Sequence, residues 1–135
     1  MRAGGINWAA ALVAAIAIYA VGFIIYGLVI DQNAWMAAEG LTEAQVAEAG
    51  AARMLFSPLM PLATAIGMAV LFKWCKVDGL SDGAKFGALI AVASAIPALW
   101  YSWVYGVGPA WLTVLDSSHL MLGHVAAGAI LGSWK

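Results

Sequence analysis

Long apolar runs alternate with short polar segments along this chain of 135 residues. Four of the runs, residues 6–30, 54–74, 83–106 and 112–134, reach the length of about 20 residues that an α-helix needs to cross a bilayer. The pattern predicts an all-α fold: an integral membrane four-helix bundle in which residues 1–135 form a single transmembrane domain. A short helical loop outside the membrane is expected between the first and second spans.

The first run is too long for the apolar part of a signal peptide and lacks a clear cleavage box, so we expect it to be retained. Its residues Tyr19, Gly22 and Tyr26 share one helix face. Small residues let helix backbones approach closely in lipid, so this face should point inward. The Tyr19 hydroxyl then needs a partner, and a structural hydrogen bond between helices is favoured over a role in transport.

The loop after the first span contains local helix signals. Asn33 is expected to cap a short helical turn that stops at Gly40. Thr42 and Gln45 form a capping box that starts a second short helix. The loop is therefore predicted to lie as helical segments on the outer membrane surface.

Prolines interrupt the second and third runs. Pro58 and Pro61 fall within the first two turns of the second span, where Pro61 should free a carbonyl and so bend the helix or expose an acceptor. Ser57 or Thr64 could satisfy that carbonyl. Pro97 is expected to kink the third span.

Composition supports a membrane location. Apolar residues make up 64% of the chain and charged residues 10%, against roughly 45 to 50% and about 25% in soluble domains. A domain of this size cannot bury the excess, so apolar surface must face membrane lipid. The net charge of -1 and the lack of a basic cluster exclude nucleic acid as a partner. The single Cys75 excludes an internal disulfide and a cysteine-based metal site.

Charge and tryptophan positions predict the orientation. Positive charges concentrate at the N-terminus, in the second loop and at the C-terminus: Arg2, Lys73, Lys76, Lys85 and Lys135. The first loop carries Arg53 against several acidic residues. Both termini should therefore be cytoplasmic. The 7 tryptophans fit two interfacial belts.

The final span contains an acid and both histidines of the chain, at Asp116, His119 and His124. His119 and His124 point about 140° apart around a helix, so they cannot bind one metal ion without another helix, and we predict no metal site. His124 heads a line of small residues through Gly128 and Gly132, which predicts close helix packing. For His124 a structural role is favoured.

Matching depths along the predicted spans places Arg53, Tyr26 and Tyr101 beside Asp116 and His119 at the outer end of the bundle. Arg53 is the expected ionic partner of Asp116. Ionisable groups inside a membrane are costly and normally face the bundle interior. Two interpretations stay open: a site where Asp116 and His119 exchange protons or bind a small polar ligand, or an ion pair that sets the helix register.

Several short motifs resemble a known family. They are Ile-Asn-Trp at residues 6–8, Ala-Trp-Met-Ala-Ala-Glu-Gly-Leu-Thr-Glu from Ala34, and Asp-Ser-Ser-His from Asp116 before a glycine-rich helix. Together they resemble a bacterial family of small four-span membrane proteins, domain of unknown function 1761. The resemblance implies a multi-pass protein of the bacterial inner membrane and brings no activity or site residue with it.

Motifs of known chemistry are lacking. The sequence has no nucleophile elbow, no H-E-x-x-H motif, no paired carboxylates and no nucleotide-binding loop, so we predict neither an enzyme nor a cofactor. The favoured hypothesis is a structural or accessory protein that forms a homo-oligomer or joins a larger membrane complex. The alternative is a small proton-linked transporter or channel formed by an oligomer.

Overall fold

A computed structural model describes residues 2–134 of the chain, which are almost entirely helical. A two-residue hairpin pairs β1 (Arg2–Ala3) with β2 (Ile6–Asn7) in antiparallel register. The α-helices that follow along the chain are α1 (Trp8–Gly22), α2 (Gln32–Glu39), α3 (Glu43–Met54), α4 (Leu59–Cys75), α5 (Leu80–Ile90), α6 (Ile96–Tyr105) and α7 (Ala110–Ser133). The predicted all-α class is confirmed.

Hydrogen bonds between distant segments define one end of the bundle, which we call the hairpin end. The Lys73 ammonium donates to the Gly4 carbonyl at 2.6 Å, and the Gly79 N–H donates to the Gly132 carbonyl at 2.8 Å. The start of α1, the end of α4, the start of α5 and the end of α7 therefore meet there. The opposite end, where α2 and α3 follow the first span, is called the loop end.

Three helical stretches are long and apolar enough to cross a membrane: Trp8–Val29, Leu80–Tyr105 and Ala110–Ser133. The predicted second span is shorter, because α4 has 17 residues and starts only at Leu59. At about 1.5 Å per residue it is roughly 26 Å long, just below the ~30 Å of a hydrocarbon core.

Pro58 explains why α4 starts late. It has no N–H to donate to the carbonyl four residues back, that of Met54, where α3 ends. The Ser57 hydroxyl donates to that carbonyl at 2.8 Å. Its single hydrogen is then used, so the Tyr19 hydroxyl is the donor in its 3.2 Å bond to Ser57 Oγ. Pro61 lies in the first turn of α4, where a missing N–H costs no hydrogen bond within the helix, and α4 continues unbroken to Cys75. The bend expected at Pro61 stays a prediction.

The first and third spans each contain a π-helical segment. In the first span α1 passes into a π-helix at Phe23–Val29, and in the third a π-helix at Ala91–Ala95 separates α5 from α6. Pro97 stands in the first turn of α6 directly after the second π segment. Widening the helix there accommodates the missing N–H and the bulk of the proline ring.

The loop at the loop end follows local capping rules. Thr42 and Gln45 form the predicted capping box, with the Gln45 N–H donating to Thr42 Oγ1 at 3.3 Å and the Thr42 N–H donating to Gln45 Oε1 at 2.9 Å. Gly40 ends α2 with a φ of 66°. The expected cap at Asn33 is wrong, because Asp31 accepts the Asn33 N–H at 2.9 Å and caps α2.

The closest contact between helices joins α5 and α7. A Cβ atom added at Gly83 would collide with the Gly128 carbonyl, and one added at Gly87 would collide with the His124 carbonyl. The two backbones therefore touch directly, which only glycine permits. The predicted small-residue line of α7 thus packs against a second line on α5 that begins at Gly79.

Small side chains also fill the centre of the bundle. Its buried cluster comprises Ala14, Ala15 and Ile18 of α1, Ala65, Met68 and Phe72 of α4, and Ala127 of α7. Each of the three helices contributes at least one alanine to this cluster, and such small side chains let helices pack closely. The middle of the bundle is a packed core.

We expect Gly83→Ala to lower the free energy of unfolding by about 1–3 kcal/mol, because the added methyl group must push the backbones of α5 and α7 apart. Gly67→Ala is the matched control, since Gly67 lies inside α4 with nothing within 4 Å of its Cβ position. Thermal unfolding in detergent, followed by circular dichroism, measures both. Equal melting temperatures for the two variants would contradict the contact.

A double-mutant cycle tests the helix break before α4. Tyr19→Phe and Ser57→Ala should each destabilise the protein, and the two effects should couple by about 0.6 kcal/mol, a typical value for a hydrogen bond between membrane helices. The measurement is equilibrium unfolding of the wild type, both single variants and the double variant. Strict additivity would show that the Tyr19 and Ser57 hydroxyls do not interact.

Candidate functional site

A tyrosine and an aspartate connect the first and last spans near the loop end. The Tyr26 hydroxyl, in the π-helical segment, donates to Asp116 Oδ1 on α7. Both side chains are half-buried. The Gln32 side-chain amide donates to the Tyr26 carbonyl, which satisfies an acceptor at the end of the first span. Tyr26 is thus held at its backbone by α2 and at its hydroxyl by α7.

His119 lies one turn along α7 from Asp116 and packs against the same stretch of the first span. A Cβ atom on Gly22 would lie 3.0 Å from His119 Nε2. Because Gly22 has no side chain, the ring can approach the backbone of α1 this closely.

The aromatic rings of Tyr26 and His119 meet edge to face. Their centroids are 5.5 Å apart and their planes are inclined by 88°. This T-shaped arrangement is a favourable one for aromatic pairs. These contacts join four residues into one group, which we call the Tyr26–Asp116 cluster: Gly22, Tyr26, Asp116 and His119.

Two predicted members of the site lie elsewhere. Arg53 is exposed in the last turn of α3, and the structure describes no ion pair between Arg53 and Asp116; the ion pair it does describe joins Lys85 and Asp82. Asp116 accepts from a neutral hydroxyl instead. The prediction of Arg53 as its partner assumed one continuous second span, whereas the chain breaks at Pro58 before α4 begins.

Tyr101 is also outside the cluster. It is 67% exposed and packs on Tyr105 of the same helix, with ring centroids 4.9 Å apart. Its neighbour Trp100 faces α7 instead, where the indole N–H donates to Ser117 Oγ at 2.9 Å. The Ser117 hydroxyl donates to the Thr113 carbonyl at 2.7 Å. Ser117 was not singled out from the sequence, although it lies next to Asp116.

His124 faces a different helix from His119. It is buried on the side of α7 that contacts α5, and its Nδ1 lies 2.7 Å from the Leu120 carbonyl oxygen. The histidines therefore diverge, as their spacing of five residues requires. Among the residues that the structure describes, no group of three or more His, Cys, Asp and Glu side chains is arranged to hold a metal ion.

The cluster brings an acid, a phenol and an imidazole into contact between two helices. Asp116 and Tyr26 share a hydrogen bond, and His119 presents its ring edge beside them. Such groups could pass a proton, and they also lock one helix against another. The geometry is thus compatible with both a proton or ligand site and a contact that sets the helix register. In either case Asp116 is paired with Tyr26 in place of Arg53.

Comparison with known proteins identifies a family for this chain but no relative of known activity. The family model described as Protein of unknown function (DUF1761) matches residues 9–132. The matched region contains all seven α-helices except the first residue of α1 and the last of α7. No curated protein matches the chain, and no solved structure matches it.

Replacing the Tyr26 hydroxyl should weaken the junction between the first and last spans. We expect Tyr26→Phe to lower the free energy of unfolding by about 1 kcal/mol, since Asp116 loses its donor inside the bundle. Tyr101→Phe, which removes an exposed hydroxyl, should change it by less than about 0.5 kcal/mol. Equilibrium unfolding measures both. A cost at Tyr101 as large as that at Tyr26 would contradict this assignment.

Proposed function

The chain belongs to the family Protein of unknown function (DUF1761), and from that premise we propose that it is a small structural or accessory protein of the bacterial inner membrane. It assembles with copies of itself or with the subunits of a larger membrane complex. Membrane lipid surrounds its outward faces. Its polar groups stabilise the packing of the helices against one another.

The observation that carries this proposal is the Tyr26–Asp116 cluster. Its polar groups contact the protein itself: the Asp116 carboxylate accepts from the Tyr26 hydroxyl, and the His119 ring packs edge to face with the Tyr26 ring. A group in lipid that finds its partner on another helix fixes the register of the two helices. The cluster therefore fits a structural junction.

We place four segments across the membrane: the three long apolar helices and α4. The broken turn before α4 has its Met54 carbonyl satisfied by Ser57, which is the condition for irregular backbone within lipid. Because Lys73, Lys76 and Lys85 lie at the hairpin end, this end and both termini are assigned to the cytoplasm. The loop end then faces outward.

The packed centre supports assembly over transport by a single copy. Core alanines bring the helices together, so the bundle encloses a core of side chains where a pore would run. Two grooves of the bundle lie at its hairpin end. A route for ions would have to form between subunits.

A proton-linked transporter formed by an oligomer is the second candidate. The observation that favours it is the set of three helix irregularities: the π segments Phe23–Val29 and Ala91–Ala95, and the break at Pro58. π-helical turns and broken helices often accompany functional sites in membrane proteins. Tyr26 lies within the first of these segments, directly against Asp116.

The experiment combines subunit counting with proton flux. Wild type, His119→Ala and Asp116→Asn are compared by native mass spectrometry and in liposomes containing a pH-sensitive dye. Asp82→Asn is the control, because it makes the same substitution in an exposed pair with Lys85. We expect a defined complex for wild type and Asp82→Asn, loss of subunits or stability in the two site variants, and flux equal to that of empty liposomes throughout.

The transporter interpretation predicts a different result. Wild-type flux well above that of empty liposomes, lost in Asp116→Asn while the subunit number is unchanged, would replace the structural proposal. A single wild-type chain with neither foreign subunits nor copies would contradict assembly directly.

A further inference from the structure

A groove of about 290 Å³ opens at the hairpin end between α1, α4 and α7. Its apolar lining comes from all three of these helices: Ala10, Ala69, Phe72 and Leu131. Lys73, Asn7 and Trp134 add polar atoms and an indole at the ends of the same helices. The groove therefore has an apolar floor and a cationic rim.

The hairpin holds Lys73 in place at this rim. Gly5, with a φ of +74°, lies so close to the lysine stem that an added Cβ would be 3.0 Å from Lys73 Cε. The Gly4 carbonyl accepts one ammonium N–H at 2.6 Å. An ammonium group has three N–H donors, so this contact leaves donor capacity for an anion. Contacts with the hairpin backbone therefore hold the Lys73 ammonium at the rim of the groove, in addition to its own flexible side chain.

The groove also lies at the depth where lipid headgroups are found. It lies beside the start of the first span, at Trp8, and the end of the final span, at Ser133. Asn7 closes this junction, accepting the Ala10 N–H and donating to the Trp134 carbonyl at 3.4 Å. Tryptophans are enriched at this boundary between hydrocarbon and water.

We propose that this groove binds one anionic phospholipid, whose phosphate pairs with the Lys73 ammonium and whose upper acyl chain lies on Ala69, Phe72 and Leu131. Basic pockets between membrane helices recognise anionic headgroups by this complementarity of charge. A volume of about 290 Å³ accommodates part of a lipid, so the rest of the chains stay in the bilayer. The site requires that the bundle lie in a membrane, but it does not depend on the assembly proposed above.

Native mass spectrometry with titrated lipid tests the site. Wild-type protein in detergent is titrated with phosphatidylglycerol or with phosphatidylcholine of the same chains. We expect one phosphatidylglycerol to bind in preference to phosphatidylcholine. Lys73→Gln, which removes the charge but keeps a polar side chain with N–H donors, should weaken this binding by about fivefold or more. Lys73→Arg should retain it.

The matched control is Lys76→Gln, which removes a charge at the same end from a residue outside the groove. It should leave the affinity for phosphatidylglycerol unchanged. Three results would overturn the proposal: equal losses at Lys73 and Lys76, equal binding of the two lipids by wild type, or displacement of the lipid by glycerol phosphate at the lipid's own concentration. The last would identify a free-anion site without an acyl chain.

Discussion

Backbone contact between α5 and α7 is the constraint on which the rest of the structure depends. In the membrane location proposed above, lipid offers no hydrophobic drive for helices to associate, so packing and hydrogen bonds must hold them. Glycines at Gly83, Gly87 and Gly128 let the carbonyls of one helix reach the backbone of the other. The same approach brings Gly79 within hydrogen-bonding distance of Gly132. With α7 held along its second half, its first half is positioned to meet the first and third spans.

Polar groups in this bundle are satisfied by neutral partners. Ser57 takes over the Met54 carbonyl that Pro58 leaves without a donor, and Tyr19 donates to Ser57 from α1. Asp116 accepts from Tyr26 in place of an arginine. Hydroxyl donors cost less to bury than a guanidinium and still meet the acceptors. The Tyr19–Ser57 and Tyr26–Asp116 bonds join segments far apart in the chain and so add to the register of the helices.

The two ends of the bundle have different chemistry. At the loop end the Tyr26–Asp116 cluster is closed on itself by contacts between helices. At the hairpin end Lys73 stands at the rim of a groove with an apolar floor. This division connects the proposed structural role with the proposed lipid site: one end fixes the helices relative to each other, and the other fixes the bundle relative to its membrane.

The sequence by itself determined the features that depend on local order. Apolar runs predicted the helices, Thr42 and Gln45 predicted the start of α3, and a five-residue spacing predicted that His119 and His124 diverge. These follow from helix geometry and capping within a few residues. Only the tertiary structure decided that Tyr26 and not Arg53 meets Asp116, that Trp100 and not Tyr101 faces α7, and that Lys73 stands over a groove. Those outcomes depend on the depth and rotation of whole helices relative to one another, which no local pattern specifies.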